Sequence, residues 1–135
     1  MPAKAHLQQA RTCIAQRRWF DAHEELEAIW REAKDPERRI LQGVIHLVVS
    51  FEHLRRGNPR GAQAQWLKAQ TKLQAGRARY EGIEIGNWYH AIASFYALID
   101  LAAAAERGTL PEDLPAMEEW PIPEDLRGSA AASGC

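Results

Sequence analysis

The stretch ILQGVIHLVVSFEHLRRGNPRG (residues 40–61) decides the fold of this chain. Its apolar residues recur at every third or fourth position and cover more than half of a helix circumference, which is typical of a helix that contacts several neighbours. We therefore predict a central helix over residues 36–56. Gly57 suits the left-handed position that ends a helix, Asn58 suits the N-cap of the next helix, and Pro59 suits its first turn.

Helical patterns also flank this central helix on both sides. They predict a first helix over residues 5–16, a second that begins with Asp21 as N-cap and Glu24 as its capping-box partner, a fourth over residues 59–75 and a fifth over residues 88–107. No segment shows the two-residue alternation that is typical of a β-strand. Short connections make consecutive helices antiparallel neighbours. The sequence thus predicts an all-α fold, a single compact bundle of about five helices with mostly antiparallel neighbours and an irregular proline-rich C-terminal tail.

The length and composition of the chain fit one domain. It has 135 residues, of which 46% are hydrophobic and 26% are charged. We predict a helical bundle domain over residues 1–110, a proline-rich tail packed on the bundle over residues 111–127, and a disordered end over residues 128–135. Because residues 53–80 carry basic but no acidic side chains and the tail is acidic, we expect the tail to lie near this basic region and neutralise it.

Charge and cysteine usage point to a cytoplasmic protein. The formal net charge of −1 argues against a general attraction to nucleic acid or to membranes. The two cysteines, Cys13 and Cys135, do not form the framework of a disulfide-rich secreted protein, and Cys13 fits a helix core. The N-terminal residues MPAKAHLQQARTC lack the apolar centre of a signal peptide. The longest apolar run, residues 91–105, is interrupted by Asp100 and is too short to span a bilayer.

A group of polar residues could converge near His23. His23 and Glu27 are four residues apart, so they lie on one side of the second helix, just outside its apolar arc. In an antiparallel hairpin, residues at equal distances from the turn face each other, which places Glu27 level with Gln42 and His23 level with His46. His53 lies further along the same polar stripe of the central helix. We expect His23, Glu27, Gln42 and His46 to meet between the second and third helices.

Three interpretations of this group remain open from the residues alone. His23, Glu27 and His46 are suitable ligands for a metal ion, and three protein ligands leave a position for water. Alternatively, Glu27 orients His23 for acid–base chemistry, although no nucleophile or phosphate-binding loop accompanies the pair. The third interpretation is structural, a local hydrogen bond beside a solvated helix face. We do not predict an enzyme on this basis.

Two segments resemble a known family. FDAHEELEAIW (residues 20–30) and ERRILQGVIHLVVSFEHLRRGNPRGA (residues 37–62) are similar to the domain of unknown function 309 family of bacteria and archaea. The family motif His-x-x-x-Glu-x-x-Trp or Tyr is matched by His23, Glu27 and Trp30. The resemblance covers about residues 18–73 and implies a compact all-helical fold, with metal binding by the histidine and glutamate as a conjecture.

The resemblance also bears on the residues of the central helix. It implies that Gln42 and His53 belong to the shared pattern. It further implies that His46 is a departure, since glutamine is usual at that position. A site that requires His46 as a ligand is therefore less general than one built on His23, Glu27, Gln42 and His53.

We predict a small helical protein with a polar pocket between its second and third helices, which binds a metal ion or a small ligand. The ion would be divalent, such as zinc, iron or manganese. The predicted metal ligands are His23, Glu27 and His46, and the predicted ligand contacts are Trp30, Gln42 and His53. The alternative is a helical protein-interaction module with no metal or catalytic role, whose basic fourth helix and acidic tail contact a protein partner or a second copy of the chain.

Overall fold

The computed structural model of the protein describes residues 3–73 and 79–127. Its helices confirm the all-α class, and none of the described helices is long and apolar enough to cross a membrane. A short antiparallel pair of strands pairs Arg79 with Glu84, and two 3₁₀ turns follow near the C-terminus. The elements in chain order are α1 (Ala3–Ala15), α2 (Trp19–Glu32), α3 (Glu37–Arg55), α4 (Pro59–Leu73), β1 (Arg79–Tyr80), β2 (Ile83–Glu84), α5 (Gly86–Leu98), α6 (Leu101–Arg107) and 3₁₀ turns at Met117–Glu119 and Glu124–Leu126.

The central position predicted for the third helix is confirmed. α3 packs against both α2 and α4, and apolar side chains along its length are fully buried. Its residue Phe51 lies at the middle of an aromatic cluster. The Phe51 ring stacks on Trp19 of α2 with 4.7 Å between centroids, and it contacts Tyr96 of α5 at 5.7 Å and Trp120 at 5.8 Å. Aromatic pairs at these distances add to the stabilisation from buried area, so α3 joins the N-terminal helices to the C-terminal part of the chain.

The turn between α3 and α4 has the caps that the sequence predicts. Gly57 takes a φ of +75°, and the side-chain oxygen of Asn58 accepts a hydrogen bond from the Gly61 N–H at 3.0 Å. The Asn58 amide nitrogen in turn donates to His53 Nδ1 at 3.1 Å. A Cβ on Gly61 would lie 2.5 Å from His53 Nδ1. The side chains of His53 and Asn58 therefore pack against Gly61, and the turn makes α4 antiparallel to α3.

α3 and α4 pack closely at Gly43. A Cβ on this glycine would lie 2.5 Å from the Leu73 side chain and 3.3 Å from Lys72 Cβ. Leu73 is 1% exposed, so its side chain has little room to move away. The missing side chain at Gly43 thus allows the last turn of α4 to lie directly on the first half of α3.

The predicted start of the second helix at Asp21 is wrong. α2 begins two residues earlier, at Trp19, and Asp21 forms an ion pair with Arg18 at 2.8 Å instead of a cap. The cause is the tight turn after α1. Arg17 takes a φ of +56°, and the Arg18 N–H donates to the carbonyl of Cys13 at 2.8 Å, so the next helix starts immediately.

The predicted single helix over residues 88–107 is also wrong. It is divided at Asp100, which takes a φ of +51° and whose carboxylate accepts a hydrogen bond from the Ala103 N–H at 3.4 Å. Aspartate tolerates the left-handed conformation better than most residues, because its short side chain bonds to the local backbone. Leu98, the last residue of α5, is 76% exposed.

A β-hairpin stands where the sequence predicts only loop. Its two turn residues, Glu81 and Gly82, have φ values of +31° and +81°. Positive φ at both positions is what a two-residue hairpin turn requires. Each strand has only two residues, which is too short for the alternating pattern to be visible in the sequence.

The segment after α6 contributes large side chains to the core. Trp120, Ile122 and Leu126 are buried, and the carbonyl of Trp120 accepts two hydrogen bonds from Arg17. The division between bundle and tail at residue 110 stays a prediction. The predicted disordered end, residues 128–135 with Cys135, lies outside the described residues.

Among the described residues, the expected pairing of the acidic tail with the basic region, residues 53–80, is seen at one ion pair, which does not involve α4. This ion pair joins Asp125 to Arg79 at 3.1 Å, and Arg79 lies on β1. The 3₁₀ turn that carries Asp125 contacts α1 and β2. Helix α4 instead packs on α3 and α6, with Arg60 donating to the carbonyl of Ala105.

A buried carboxylate, that of Glu52, binds two arginines at the C-terminal end of α3. Glu52 is 6% exposed and accepts hydrogen bonds from Arg55 at 3.0 and 2.7 Å and from Arg56 at 2.6 Å. Glu52 and Arg55 are three residues apart, a spacing that places both side chains on one helix face. Hydrogen bonds from Arg55 and Arg56, together with their positive charges, hold the pKa of Glu52 below its ordinary value against the opposing effect of burial.

The substitution Gly43→Ala should destabilise the protein by about 1–2 kcal/mol. The clash with Leu73 costs about 1–3 kcal/mol, and the better helix propensity of alanine offsets up to about 1 kcal/mol. Urea unfolding measures the free energy of unfolding of the unmodified protein, of Gly43→Ala, of Leu73→Ala and of the double variant. The cost of Gly43→Ala should shrink or reverse when Leu73 is also alanine, and an equal cost in both backgrounds would show that the clash is not its cause.

The substitution Glu52→Gln should cost about 1–3 kcal/mol at pH 7, because two guanidinium groups lose a charged partner. Since the folded pKa of Glu52 is below the ordinary 4.5, its stabilisation is present above that value and is lost as the pH falls through the folded pKa. Denaturant melts between pH 3 and pH 8 should show the two proteins converging at the acidic end. A stability difference that does not change with pH would contradict this.

Candidate functional site

A cavity of about 300 Å³ opens between α2, α3 and α4. It is lined by polar, aromatic and aliphatic side chains from all three helices. We call it the His23 cavity. The lining residues are His23, Glu27 and Trp30 of α2, Gln42, Ile45, His46 and Val49 of α3, and Gln65 of α4.

The predicted convergence of His23, Glu27, Gln42 and His46 is confirmed by this lining, and Trp30 joins them. The short α2–α3 connection is responsible, since it brings residues at equal distances from the turn level with each other. Because the apolar residues of each helix face the core, these side chains lie at the border between the buried and the exposed face of their helix. All five are therefore half-buried, neither packed in the core nor fully in solvent.

His53 does not line the His23 cavity. It follows His46 by seven residues, which is about 10 Å along a helix. Its ring belongs to the α3–α4 turn, where Nδ1 accepts a hydrogen bond from Asn58. The structure thus separates His53 from the other five predicted site residues.

His46 is oriented by a residue that the sequence analysis missed. Its Nδ1 lies 2.7 Å from Oε1 of Gln65. A carboxamide oxygen can only accept a hydrogen bond, so the His46 Nδ1 carries the proton and Nε2 retains its lone pair. Burial lowers the pKa of His46 below its ordinary value, and the nearby charges of Lys68 and Lys72 lower it further, although the bond to Gln65 opposes them. The ring is therefore neutral at pH 7.

His23 and Glu27 form the exposed rim of the cavity. His23 Nε2 lies 3.0 Å from Glu27 Oε2, and both side chains are about one-third exposed, at 29% and 37%. The contact joins two side chains one helical turn apart on the same face of α2. Glu27 is the acidic side chain of the lining, which contains no lysine or arginine from the described part of the chain.

Trp30 forms one wall. The guanidinium carbon of Arg38 lies 3.9 Å from the centroid of the Trp30 ring, within the range of a cation–π interaction. The indole Nε1 of Trp30 is buried and has no hydrogen-bond partner among the described residues. A buried donor without a partner costs about 1–3 kcal/mol, so this indole is held in place by its packing and by Arg38.

The predicted metal ligands share the cavity without forming a coordination site. Within residues 3–73 and 79–127, no group of three or more histidine, cysteine, aspartate or glutamate side chains is placed to hold one ion. The nearest approach between predicted ligands is the contact of His23 with Glu27, while His46 is engaged with Gln65. Cys13 is buried, and burial raises the pKa of its thiol, which fits the predicted core role and not a nucleophile.

Comparison with known proteins gives the family. The model of the family described as "Domain of unknown function (DUF309)" matches residues 7–65. The chain is also 31% identical over 122 residues to "Uncharacterized protein YpuF" of Bacillus subtilis (strain 168), a match that covers 88% of this chain and 70% of that protein. The chain belongs to the DUF309 family. The DUF309 match includes every residue that lines the His23 cavity, up to Gln65. No solved structure matches.

His46 should titrate below 6.5, its ordinary value, because the fold favours the neutral ring. Histidine side-chain NMR signals followed from pH 4 to pH 8 measure this, with His46→Gln to assign the signal. Gln65→Leu should lower the midpoint further, and Lys72→Gln should raise it. A folded pKa below the unfolded one also means that this contribution to stability is present above pH 6.5 and is lost as the pH falls. A midpoint at or above 6.5 would contradict the described burial.

Proposed function

We propose that the His23 cavity is the functional site of this protein and that it binds a small organic molecule bearing N–H or O–H donors. The convergence of five predicted site residues on one cavity carries this proposal. Its volume of about 300 Å³ lies at the lower end of the range for small-molecule sites in proteins. A molecule of a few non-hydrogen atoms to about a dozen fits such a space.

The polarity of the lining supports a donor-bearing ligand. The neutral His46 offers the lone pair of Nε2, and Glu27 offers a carboxylate at the rim. Both groups accept hydrogen bonds. Because the described residues contribute no lysine or arginine to the lining, the site favours a neutral or positively charged ligand. Ile45, Val49 and the Trp30 ring contact its apolar part.

Metal binding stays a prediction. Zinc, iron or manganese would suit imidazole and carboxylate ligands, but His23, Glu27 and His46 would have to move to a common point. The cytoplasmic location and the alternative of a protein-interaction module also stay predictions, which rest on cysteine usage and on the charge pattern respectively.

Titration with a panel of small amines and alcohols, from ethanolamine to glycerol, tests the proposed function, with acetate as the acceptor-only comparison. At least one donor-bearing probe should shift the indole N–H signal of Trp30 in NMR spectra, and acetate should not. Glu27→Gln should weaken binding of ethanolamine about tenfold, which corresponds to the loss of one charge-assisted hydrogen bond.

Glu24→Gln is the matched control, because Glu24 is an exposed glutamate of the same helix outside the cavity lining. It should leave the titration unchanged. If no member of the panel shifts the Trp30 signal, or if Glu24→Gln and Glu27→Gln behave alike, the proposed function is wrong.

The metal prediction has its own test. Protein purified without a histidine tag is analysed for bound metal and melted with and without added zinc, manganese or iron(II), alongside His23→Ala. The prediction expects stoichiometric metal, or a rise in the melting temperature that His23→Ala removes. If the protein contains no bound metal and its melting temperature does not change on adding metal, the metal prediction is wrong.

A further inference from the structure

A second, smaller cavity lies beside the His23 cavity. Its volume is about 160 Å³, and its lining residues are Asp35, Arg38, Arg39, Gln42 and Lys72. We call it the Arg38 cavity. Three positive side chains and one negative side chain give it a formal excess of two positive charges. This is the opposite of the His23 cavity, whose lining carries the negative charge of Glu27.

The positive side chains of the Arg38 cavity are not neutralised within the described part of the chain. None of Arg38, Arg39 and Lys72 has a carboxylate within 4.0 Å there, whereas Arg18, Arg55, Arg56 and Arg79 each form an ion pair. Arg39 donates to the carbonyl of Thr71 at 3.3 Å, and Arg38 lies over the Trp30 ring. These contacts hold the Arg38 and Arg39 side chains in position. Neither contact supplies a negative charge, so both guanidinium groups lack a counterion within the described residues.

The two cavities adjoin each other. Gln42 lines both of them, and Trp30, a wall of the His23 cavity, carries the guanidinium of Arg38 on its face. The close packing of α4 on α3 places Lys72 at the Arg38 cavity. A Cβ added to Gly43 would lie only 3.3 Å from the Cβ of Lys72. One ligand of modest length can therefore contact both linings.

The surroundings of the Arg38 cavity also favour an anion. α3 begins at Glu37, so the positive end of its dipole lies at this cavity. Asp35 is already counted in the excess of two positive charges, and the exposed Glu37, which lies outside the lining, opposes this field. A phosphate monoester carries about −1.5 to −2 charges at pH 7, which matches the excess of two positive charges better than a carboxylate does. Two arginines also offer the forked N–H groups that bind phosphate oxygens in pairs.

We propose that the ligand of the His23 cavity is a small phosphorylated molecule whose phosphate group binds to Arg38, Arg39 and Lys72. This proposal rests on the proposed function for the donor-bearing end of the ligand. The phosphate site itself depends on different residues, so the two can be tested separately.

Inorganic phosphate is the first probe. Its binding to the full chain is followed by calorimetry and by NMR at constant ionic strength, with acetate as the carboxylate comparison. Phosphate should bind more tightly than acetate. Lys72→Gln and Arg38→Gln should each weaken phosphate binding about tenfold, and circular dichroism checks that both variants fold. Arg31→Gln is the matched control, because Arg31 is exposed on α2 and lies outside both linings; it should change nothing.

A series of aminoalkyl phosphates with two to five carbons is the second probe, because it joins an amine to a phosphate. At least one member should bind at least tenfold more tightly than inorganic phosphate. Lys72→Gln should weaken both probes, while Glu27→Gln should weaken the aminoalkyl phosphate and leave inorganic phosphate unchanged.

The outcomes separate the two proposals. Phosphate binding that is unaffected by Lys72→Gln and Arg38→Gln, or acetate binding as tight as phosphate, would overturn the phosphate site. No gain for any aminoalkyl phosphate over inorganic phosphate would overturn the claim that one ligand spans both cavities. Loss of the Glu27 effect with an intact phosphate site would instead contradict the proposed function of the His23 cavity.

Discussion

The close packing of α4 on α3 at Gly43 is the constraint on which the rest of the structure depends. With no side chain at Gly43, Leu73 fills the space above it, and the two helices lie in contact along their length. This contact places Gln65 beside His46 and Lys72 beside Gln42. The lining of both cavities therefore follows from a packing requirement of the core. The α3–α4 turn at Gly57 and Asn58 supports the same arrangement from its other end.

The two cavities differ in charge but share a boundary. On one side, a neutral histidine and a carboxylate accept hydrogen bonds, and on the other, arginines and a lysine present positive charge. Trp30 and Gln42 stand between them. Trp30 links the two sides physically, because its face stacks under Arg38 while it forms a wall of the His23 cavity. His46 bonds to Gln65, which keeps its ring at the edge of the His23 cavity.

Much of this arrangement can be predicted from the sequence where short-range rules apply. The central helix, the Gly57–Asn58 turn and the meeting of His23, Glu27, Gln42 and His46 all follow from helical periodicity and a short hairpin connection. The failures have a common cause. The Asp21 cap and the unbroken helix over residues 88–107 follow from helical preference, but Arg17 and Asp100 take left-handed conformations that interrupt the helical path.

The remaining errors concern contacts between helices that the hairpin register does not fix. Gln65 lies on α4, and only the crossing of α4 over α3 shows that it reaches His46. His53 lies on the same polar stripe of α3 as His46, but this stripe extends beyond the His23 cavity. The His53 ring instead accepts a hydrogen bond from Asn58 in the α3–α4 turn. His46 bonds to Gln65, and within the described residues the predicted metal ligands line one cavity without being placed to hold one ion, so metal binding stays a prediction. Sequence patterns therefore specify which face a side chain occupies, and they specify much less about its partner.

The most direct measurement for the central claim is a set of intermolecular NOEs between the protein and the small amine that shifts the Trp30 indole signal. Ile45 and Val49 both line the His23 cavity and carry methyl groups. The account predicts NOEs from the methylene protons of the ligand to both methyl-bearing residues. NOEs to methyl groups elsewhere on the surface, with none to Ile45 or Val49, would contradict it.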